Sequence, residues 1–244
     1  MAKQAALAEK LIIDGVDLSG DIGSVQTISA PSQVFDMTAI GVSAHERILG
    51  KLDGTLEFSA FFNDATGAAH PTLKVPGGAD KVVSYLHGAA LGNWAAGIVA
   101  KQTNYDPTRN ADGSLLMAVS CIGSAYGLDH CDQVTAGLRT DTAATNGAAV
   151  DNDKTAATTK GLSAYLQVTA FTGTSITVKL QDSADGTTDW QDVTGGGFAA
   201  ASAVGAQRIV TSLTLTVRRF LRVVSSGTFN PCTFSVVVCR SPAQ

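Results

Sequence analysis

Residues 162–190, LSAYLQVTAFTGTSITVKLQDSADGTTDW, decide the fold class of this chain. β-Branched and aromatic residues alternate with polar residues on both sides of Thr172-Gly173-Thr174, a pattern typical of two strands joined by a turn. Asp185-Gly186 marks a second tight turn, after which Trp190 returns to the sheet. These hairpins predict a compact antiparallel β-sandwich.

The same alternation recurs along the chain and predicts a mainly β protein. The predicted strands cover residues 11–16, 23–28, 55–62, 95–105 and 114–122 in the first half, and 163–171, 175–181, 208–224 and 233–240 in the second. Residues 208–224 are long enough for two strands.

One segment predicts a helix instead. Residues 79–90, ADKVVSYLHGAA, begin with Asp80, an anion favoured at a helix N-terminus. Val82, Val83 and Leu86 fall on roughly one face of such a helix. We therefore expect one helix packed against a sheet.

Two stretches interrupt the strand pattern. Residues 139–160 have almost no large apolar side chain and predict a linker or a long surface loop. We accordingly divide the chain into a β domain at 1–150, a linker at 151–160 and a β-sandwich module at 161–244, although both halves could instead contribute strands to one sheet. Residues 31–50 form a long segment of the kind that is often functional, such as a projecting hairpin or arm.

The composition favours a protein that assembles over one that stays a monomer in solution. Charged residues make up 16% of the chain and hydrophobic residues 45%, so little charge must be desolvated when the surface is buried. Residues 1–150 carry 15 acids and 9 bases (net −6), and residues 151–244 carry 6 acids and 8 bases (net +2). The acidic first half argues against specific DNA binding.

Two further patterns in the sequence concern targeting segments and the cysteines. Residues 1–15 lack the long apolar core of a signal peptide, and no run approaches the roughly 20 apolar residues of a membrane span. We expect a chain that is soluble when made. Cys121, Cys131, Cys232 and Cys239 have no zinc-ligand spacing and predict buried thiols, with a disulfide left open.

The motifs of catalysis and metal binding are incomplete. The Asp182, Asp185 and Asp189 turn lacks the alternating ligands of a calcium loop, and His45-Glu46 lacks a second zinc ligand because position 49 is leucine. Neither a nucleophile elbow nor a phosphate-binding loop is found. We predict no enzyme activity, no cofactor and no metal site.

The aromatic residues permit a binding function. Trp94, Trp190, Tyr85, Tyr105 and Tyr126 are spread singly over strand-like segments, which is more typical of core or interface positions than of a sugar-stacking platform. A carbohydrate-binding module nevertheless stays open as an alternative.

Several phrases of the sequence resemble the major tail proteins, or tail tube subunits, of long-tailed bacteriophages, especially those that infect actinobacteria. They are LIIDGVDLSGDIGSVQTI at 11–28, DMTAIGVSAHERILGKLDGTLEFSAFFND at 36–64, ADKVVSYLHG at 79–88, SAYLQVTAFTGTSITVKLQDSADGTTDW at 163–190, VRRFLRVVSSGTF at 217–229 and TFSVVVCR at 233–240. The likeness covers most of the chain as strand-and-turn phrases, without an invariant motif.

The resemblance implies a tail-tube-like antiparallel β-sandwich or barrel with one flanking helix, made in the host bacterial cytoplasm and located in the virion tail. Six copies would close into a ring, and stacked rings would form a hollow tube. Such a tube encloses the tape measure protein, meets tail terminator and distal tail or baseplate proteins, and conducts DNA without binding it specifically. No membrane partner is implied.

Two sets of residues follow from this resemblance as candidates. Asp53, Glu57 and Asp64 flank or lie on a predicted strand and are candidate lumen-facing acids, which would repel passing phosphate. The candidate inter-ring arm comprises Val34, Phe35, Met37, Ile40, His45 and Arg47.

Two competing hypotheses remain. One is another virion component, a capsid decoration or a baseplate or adhesion protein, which would bind host-surface glycans through the Trp190 hairpin. The other is a cell-wall hydrolase, which only scattered Asp, Glu and His residues support.

Overall fold

The computed structural model describes residues 8–151 and 157–242. Within these ranges the chain is mainly β, with eighteen strands and one short helix. This composition confirms the predicted fold class.

The first half contains eleven strands and the helix. They are β1 Lys10–Ile13, β2 Val16–Asp17, β3 Ile22–Ser29, β4 Ser32–Asp36, β5 Arg47–Leu52, β6 Thr55–Phe61, α1 Ala69–Leu73, β7 Lys81–Leu86, β8 Trp94–Gln102, β9 Asp106–Arg109, β10 Leu115–Gly123 and β11 Asp129–Gln133. The second half adds β12 Arg139–Asp141, β13 Thr145–Asn146, β14 Val150–Asp151, β15 Ser163–Ser183, β16 Gln191–Gly197, β17 Gly205–Val210 and β18 Phe220–Cys239.

Sixteen of these strands form one antiparallel sheet, whose main path runs β16-β15-β18-β11-β8-β10-β6-β3. Among the described residues, β4 and β5 pair with each other alone. Strands of both halves therefore belong to one sheet, which was the alternative left open by the sequence. The domain boundary at residues 151–160 stays a prediction, and residues 152–156 lie outside the described residues.

Alternation of side chains explains why β6 forms where the sequence predicts it. Leu56, Phe58 and Ala60 are buried, whereas Glu57 and Ser59 point to the opposite, partly open face. Burial of a Leu or Phe side chain contributes about 1.5–3 kcal/mol. One face of β6 is thus buried in the core.

The predicted turn at Thr172-Gly173-Thr174 is wrong. β15 continues through it for 21 residues and pairs along its length with the 20-residue β18, from Ser163↔Cys239 to Ser183↔Phe220. Register shifts on both sides of Gly173, which has φ +143°, let the strand bend without reversing. The chain instead reverses at the predicted Asp185-Gly186 turn, where β15 meets β16.

The predicted helix at residues 79–90 is also wrong. Its centre is β7, which pairs with β1 on one side and with β8 on the other. Val83, Tyr85 and Leu86 are buried, and the β-branched Val82 and Val83 favour the strand once two partners are present. The one helix of the described residues, α1, lies earlier in the chain.

Residues 139–151 of the predicted linker or loop are not simply a loop. β12, β13 and β14 each pair with a different part of β18. Polar contacts hold this segment: the Arg139 Nη1 donates to the Val223 carbonyl at 3.2 Å, and the Thr145 amide donates to Ser225 Oγ at 3.2 Å. Hydrogen bonding to the long strand therefore replaces the apolar burial that the segment lacks.

The core of the described residues contains two large clusters and a smaller one. One large cluster is built mainly from β15 and β18, including Leu166, Leu180 and Phe234. The other lies under β6, β7 and β8, including Phe58 and Ile98. The smaller cluster joins both halves through Ile12, Leu86, Ala95, Cys131, Tyr165, Val237 and Cys239.

Candidate assembly surface

β4 and β5 form a hairpin that stands apart from the main sheet. We call residues 32–52 the arm. Its strands pair through Val34↔Leu49, Phe35↔Ile48 and Asp36↔Arg47. At the neck of the arm, the Asp53 amide donates to the Pro31 carbonyl at 2.8 Å. Two chain segments close to each other thus connect the arm to the body.

The arm exposes an unusual number of large apolar side chains. They are Val34 (54% exposed), Phe35 (45%), Met37 (60%), Ile40 (109%), Val42 (42%), Ile48 (58%), Leu49 (66%) and Leu52 (38%). The pairs Val34↔Leu49 and Phe35↔Ile48 place such side chains on both faces of the hairpin, and large exposed apolar surfaces mark interaction sites in soluble proteins. The arm therefore has the character of a contact surface that its own chain leaves uncovered.

Polar contacts fix the tip of the arm. The Thr38 amide and hydroxyl both donate to Asp36 Oδ1, the amide at 3.0 Å, and these bonds lower the pKa of Asp36. His45 Nδ1 lies 3.4 Å from Asp36 Oδ2. The Glu46 amide donates to Thr38 Oγ1 at 3.0 Å. The tip thus has a defined turn geometry.

All six predicted arm residues lie in or beside this hairpin, and all six are exposed. The sequence located the segment through its length and position. It missed the apolar character of the surface, which becomes visible only once the pairing of β4 with β5 separates the hairpin from the body. The proposed role of these residues between rings stays a prediction.

The three predicted lumen acids do not form a cluster. Asp53 is exposed at the neck, where its Oδ1 accepts from the Gly54 amide at 2.7 Å. Glu57 lies in mid-strand on β6, and Asp64 is exposed beyond the other end of that strand. β6 extends roughly 20 Å, so the acids follow one line along it. Their placement in a lumen stays a prediction.

The open face around Glu57 is rich in hydroxyl groups. Cross-strand pairs place Thr27 and Ser120 on the two sides of Glu57, and the Thr27 hydroxyl donates to Glu57 Oε2 at 2.8 Å. In a neighbouring row, the hydroxyls of Ser24 and Ser59 lie 2.9 Å apart. This sheet face is polar and weakly charged.

β3 is the terminal strand of the main path. Within the described ranges it pairs with β6 alone, which leaves one row of backbone groups open to another strand. Register shifts at Ile22/Ser24 and Val25/Thr27 interrupt its pairing with β6. An edge of this kind can accept a strand from a second chain.

No known protein-family model matches the chain. No curated protein matches its sequence. Among solved structures, it is similar to the Dit protein of phage SPP1, described as a paradigm of the hub adsorption apparatus in phages infecting Gram-positive bacteria. The identity is 14% and the TM-score 0.36, over 95% of this chain and 98% of that one.

Two structures of the phage p2 baseplate in its activated conformation are similar at 8% identity. The structure with strontium has a TM-score of 0.34 and covers 95% of this chain and 97% of its own. The structure with calcium has a TM-score of 0.30, with 95% and 98% covered. At these scores and identities, the likeness supports no conclusion about the fold or function of this chain.

The acidic turn after β15 has structural partners. Asp185 accepts from the amides of Thr187 and Thr188 at 2.9 and 2.8 Å, bonds that together with the Thr188 hydroxyl lower its pKa. Asp182 and Asp189 both bind the Arg218 guanidinium, at 2.8 and 2.7 Å. Residues 8–151 and 157–242 contain no group of three His, Cys, Asp or Glu side chains that could hold a metal ion.

The two tryptophans are placed differently. Trp94 is 37% exposed, and its Nε1 donates to His130 Nδ1 at 3.3 Å. Trp190 is half-buried, with the Arg222 guanidinium 4.3 Å from its ring centre. One face of Trp190 is therefore already stacked on a side chain of the protein itself. No helix in the described part of the chain is long and apolar enough to span a bilayer.

Proposed function

We propose that this chain is a structural protein of a phage virion that assembles with copies of itself into stacked rings, forming the hollow tail tube. The arm carries this proposal: eight exposed apolar side chains on a hairpin separate from the main sheet require a partner surface. The phrases shared with tail tube subunits support the same role.

In such an assembly the open edge of β3 would pair with a strand of the neighbouring copy, which removes the unpaired backbone groups. The hydroxyl-rich face with Glu57 would line the lumen and let DNA pass without adhering. The tape measure protein would occupy this lumen before infection, and the terminator and baseplate proteins would contact the ends of the tube.

Assembly of the purified chain tests the proposal. We expect negative-stain microscopy and sedimentation to reveal rings or tubes at high protein concentration. Ile40→Asp together with Met37→Asp should abolish assembly, because buried carboxylates without partners are costly at an apolar contact. Val204→Asp is the matched control, since Val204 is 49% exposed but lies outside the arm.

The position of the protein in the virion separates the proposal from its competitors. Immunogold labelling of phage particles should decorate the whole tail if the chain forms the tube. Label confined to the tail tip would favour a baseplate or adhesion protein, and label on the head would favour a capsid decoration. A protein that stays monomeric and is missing from tails would overturn the proposal.

A further inference from the structure

A half-open groove lies at the base of the arm. Its volume is about 530 Å³, and Lys51, Tyr126, Arg208, Val210, Leu213 and Pro242 line it. Three of these side chains are substantially exposed: Tyr126 (45%), Val210 (41%) and Leu213 (39%). The groove therefore combines apolar walls with two cationic side chains.

Arg208 is held at this groove by a buried network. Its side chain is 8% exposed, its Nε donates to the Tyr165 hydroxyl at 3.0 Å, and its guanidinium carbon lies 4.1 Å from the Tyr126 ring centre. Nη2 lies 3.6 Å from Asp129 Oδ2 and has no hydrogen-bond partner within the described residues. Arg208 is thus a fixed, internally paired wall of the groove, and Lys51 is its exposed cation.

The tip of the arm has the complementary chemistry. It presents Met37 and Ile40 as apolar contacts and Glu46 as an exposed carboxylate. In the part of the chain that the structure describes, neither Glu46 nor Lys51 forms an ion pair. An apolar surface with an unpaired carboxylate thus matches an apolar groove with one unpaired cation, Lys51.

The arm of the same copy cannot fill this groove. Glu46 directly precedes β5, and Lys51 is near the end of that strand. An extended strand rises about 3.3 Å per residue, so roughly 16 Å separates the tip from the base. An arm that fills this groove therefore comes from another molecule.

We propose that the groove receives the arm tip of a second copy, with Glu46 facing Lys51, and with Met37 and Ile40 packed on Tyr126, Val210 and Leu213. Tip and groove are different surfaces, so the contact is heterologous and repeats from copy to copy. This inference rests on the proposed function and identifies the groove as the site that receives the arm.

Engineered cysteines test the contact. In the double variant Ile40→Cys with Leu213→Cys, mild oxidation should produce a ladder of covalent oligomers on a non-reducing gel. Each single variant should produce no ladder, because the tip faces the groove and not a second tip. Ile40→Cys with Val204→Cys is the control pair, and the four native thiols are buried.

Charge reversal is the second measurement. Glu46→Lys should weaken assembly by about tenfold or more, and adding Lys51→Glu in the same chain should restore it. Two results would overturn the groove contact while leaving the proposed tube unaffected. One is tubes that form without a ladder, and the other is a Glu46→Lys, Lys51→Glu variant that assembles less well than Glu46→Lys alone. Neither tubes nor a ladder would overturn both proposals.

Discussion

Asp129 shows most directly how single residues join the two halves of the molecule. Its carboxylate is fully buried and accepts from the hydroxyls of Ser163 and Tyr165, both at 2.6 Å. The Arg208 guanidinium lies 3.6 Å away. These partners come from positions 34 to 79 residues further along the chain. No local pattern around Asp129 predicts them.

Asp129→Ala tests the strength of this network. The substitution leaves a buried guanidinium without its counter-ion and two hydroxyls without their acceptor, so we expect a loss of about 3–5 kcal/mol in unfolding free energy. Urea unfolding measures it. Asp112→Ala, at an exposed loop, should change little, and equal effects of the two substitutions would contradict the network.

The four cysteines provide a pH-dependent test at the same scale. All four thiols are free and buried, as predicted. Burial raises the pKa of Cys121 and Cys239 from 9.0 to about 12, that of Cys232 to about 11, and that of Cys131 well above 9.0.

The folded state therefore holds these protons more tightly than the unfolded state. The resulting stability is fully present below about pH 9 and is lost as the pH rises towards 12. Urea unfolding should be measured from about pH 8 to about pH 12. The unfolding free energy of the wild type should fall more steeply with pH than that of the double variant Cys121→Ala, Cys232→Ala. Parallel declines would argue that other groups dominate.

At the scale of elements, β8 packs against β15 through a glycine. A Cβ placed on Gly97 would lie 2.5 Å from the ring of Tyr165, which is buried. β8 can therefore pass beneath Tyr165 only because position 97 has no side chain. The same Tyr165 ring carries the hydroxyl that binds Asp129 and Arg208.

Gly97→Ala should destabilise the protein by about 1–3 kcal/mol, because the ring must leave its position. Gly197→Ala in β16 is the matched control, since nothing lies within 4 Å of a Cβ there. Thermal unfolding of both variants measures the difference. An unaffected Gly97→Ala protein would mean that Tyr165 does not pack as described.

At the scale of the whole molecule, one sheet joins two large core clusters. β11 pairs with β8 of the first half and with β18 of the second. Because the small cluster around Tyr165 also draws on both halves, loss of either half exposes apolar surface of the other. We therefore expect the described halves to unfold together.

The two tryptophans report on this coupling, since Trp94 lies in β8 and Trp190 directly precedes β16. Trp94→Phe leaves Trp190 as the only indole of the chain, and Trp190→Phe leaves Trp94. Fluorescence-monitored unfolding of the two variants should yield coincident transitions after correction for the stability of each variant. Separate midpoints would support the predicted independent module at 161–244.

Much of the β architecture could be predicted from sequence because it depends on neighbouring residues. Alternation located β6 and β10, and the Asp185-Gly186 turn located the β15–β16 hairpin. The arm was predicted as a segment, although its apolar surface was not. The helix predicted at β7 was wrong because a short apolar run fits a helix and a doubly paired strand equally well.

Local periodicity and side-chain polarity were enough to predict the β class, strands such as β6 and β10, the buried thiols and the segment that becomes the arm. Only the tertiary structure decided that β7 is a strand, that β15 passes through Gly173 without reversing, and that a groove with Arg208 lies at the base of the arm. These features arise from partners far apart in the chain, whose pairing energy exceeds the weak local preferences at each position.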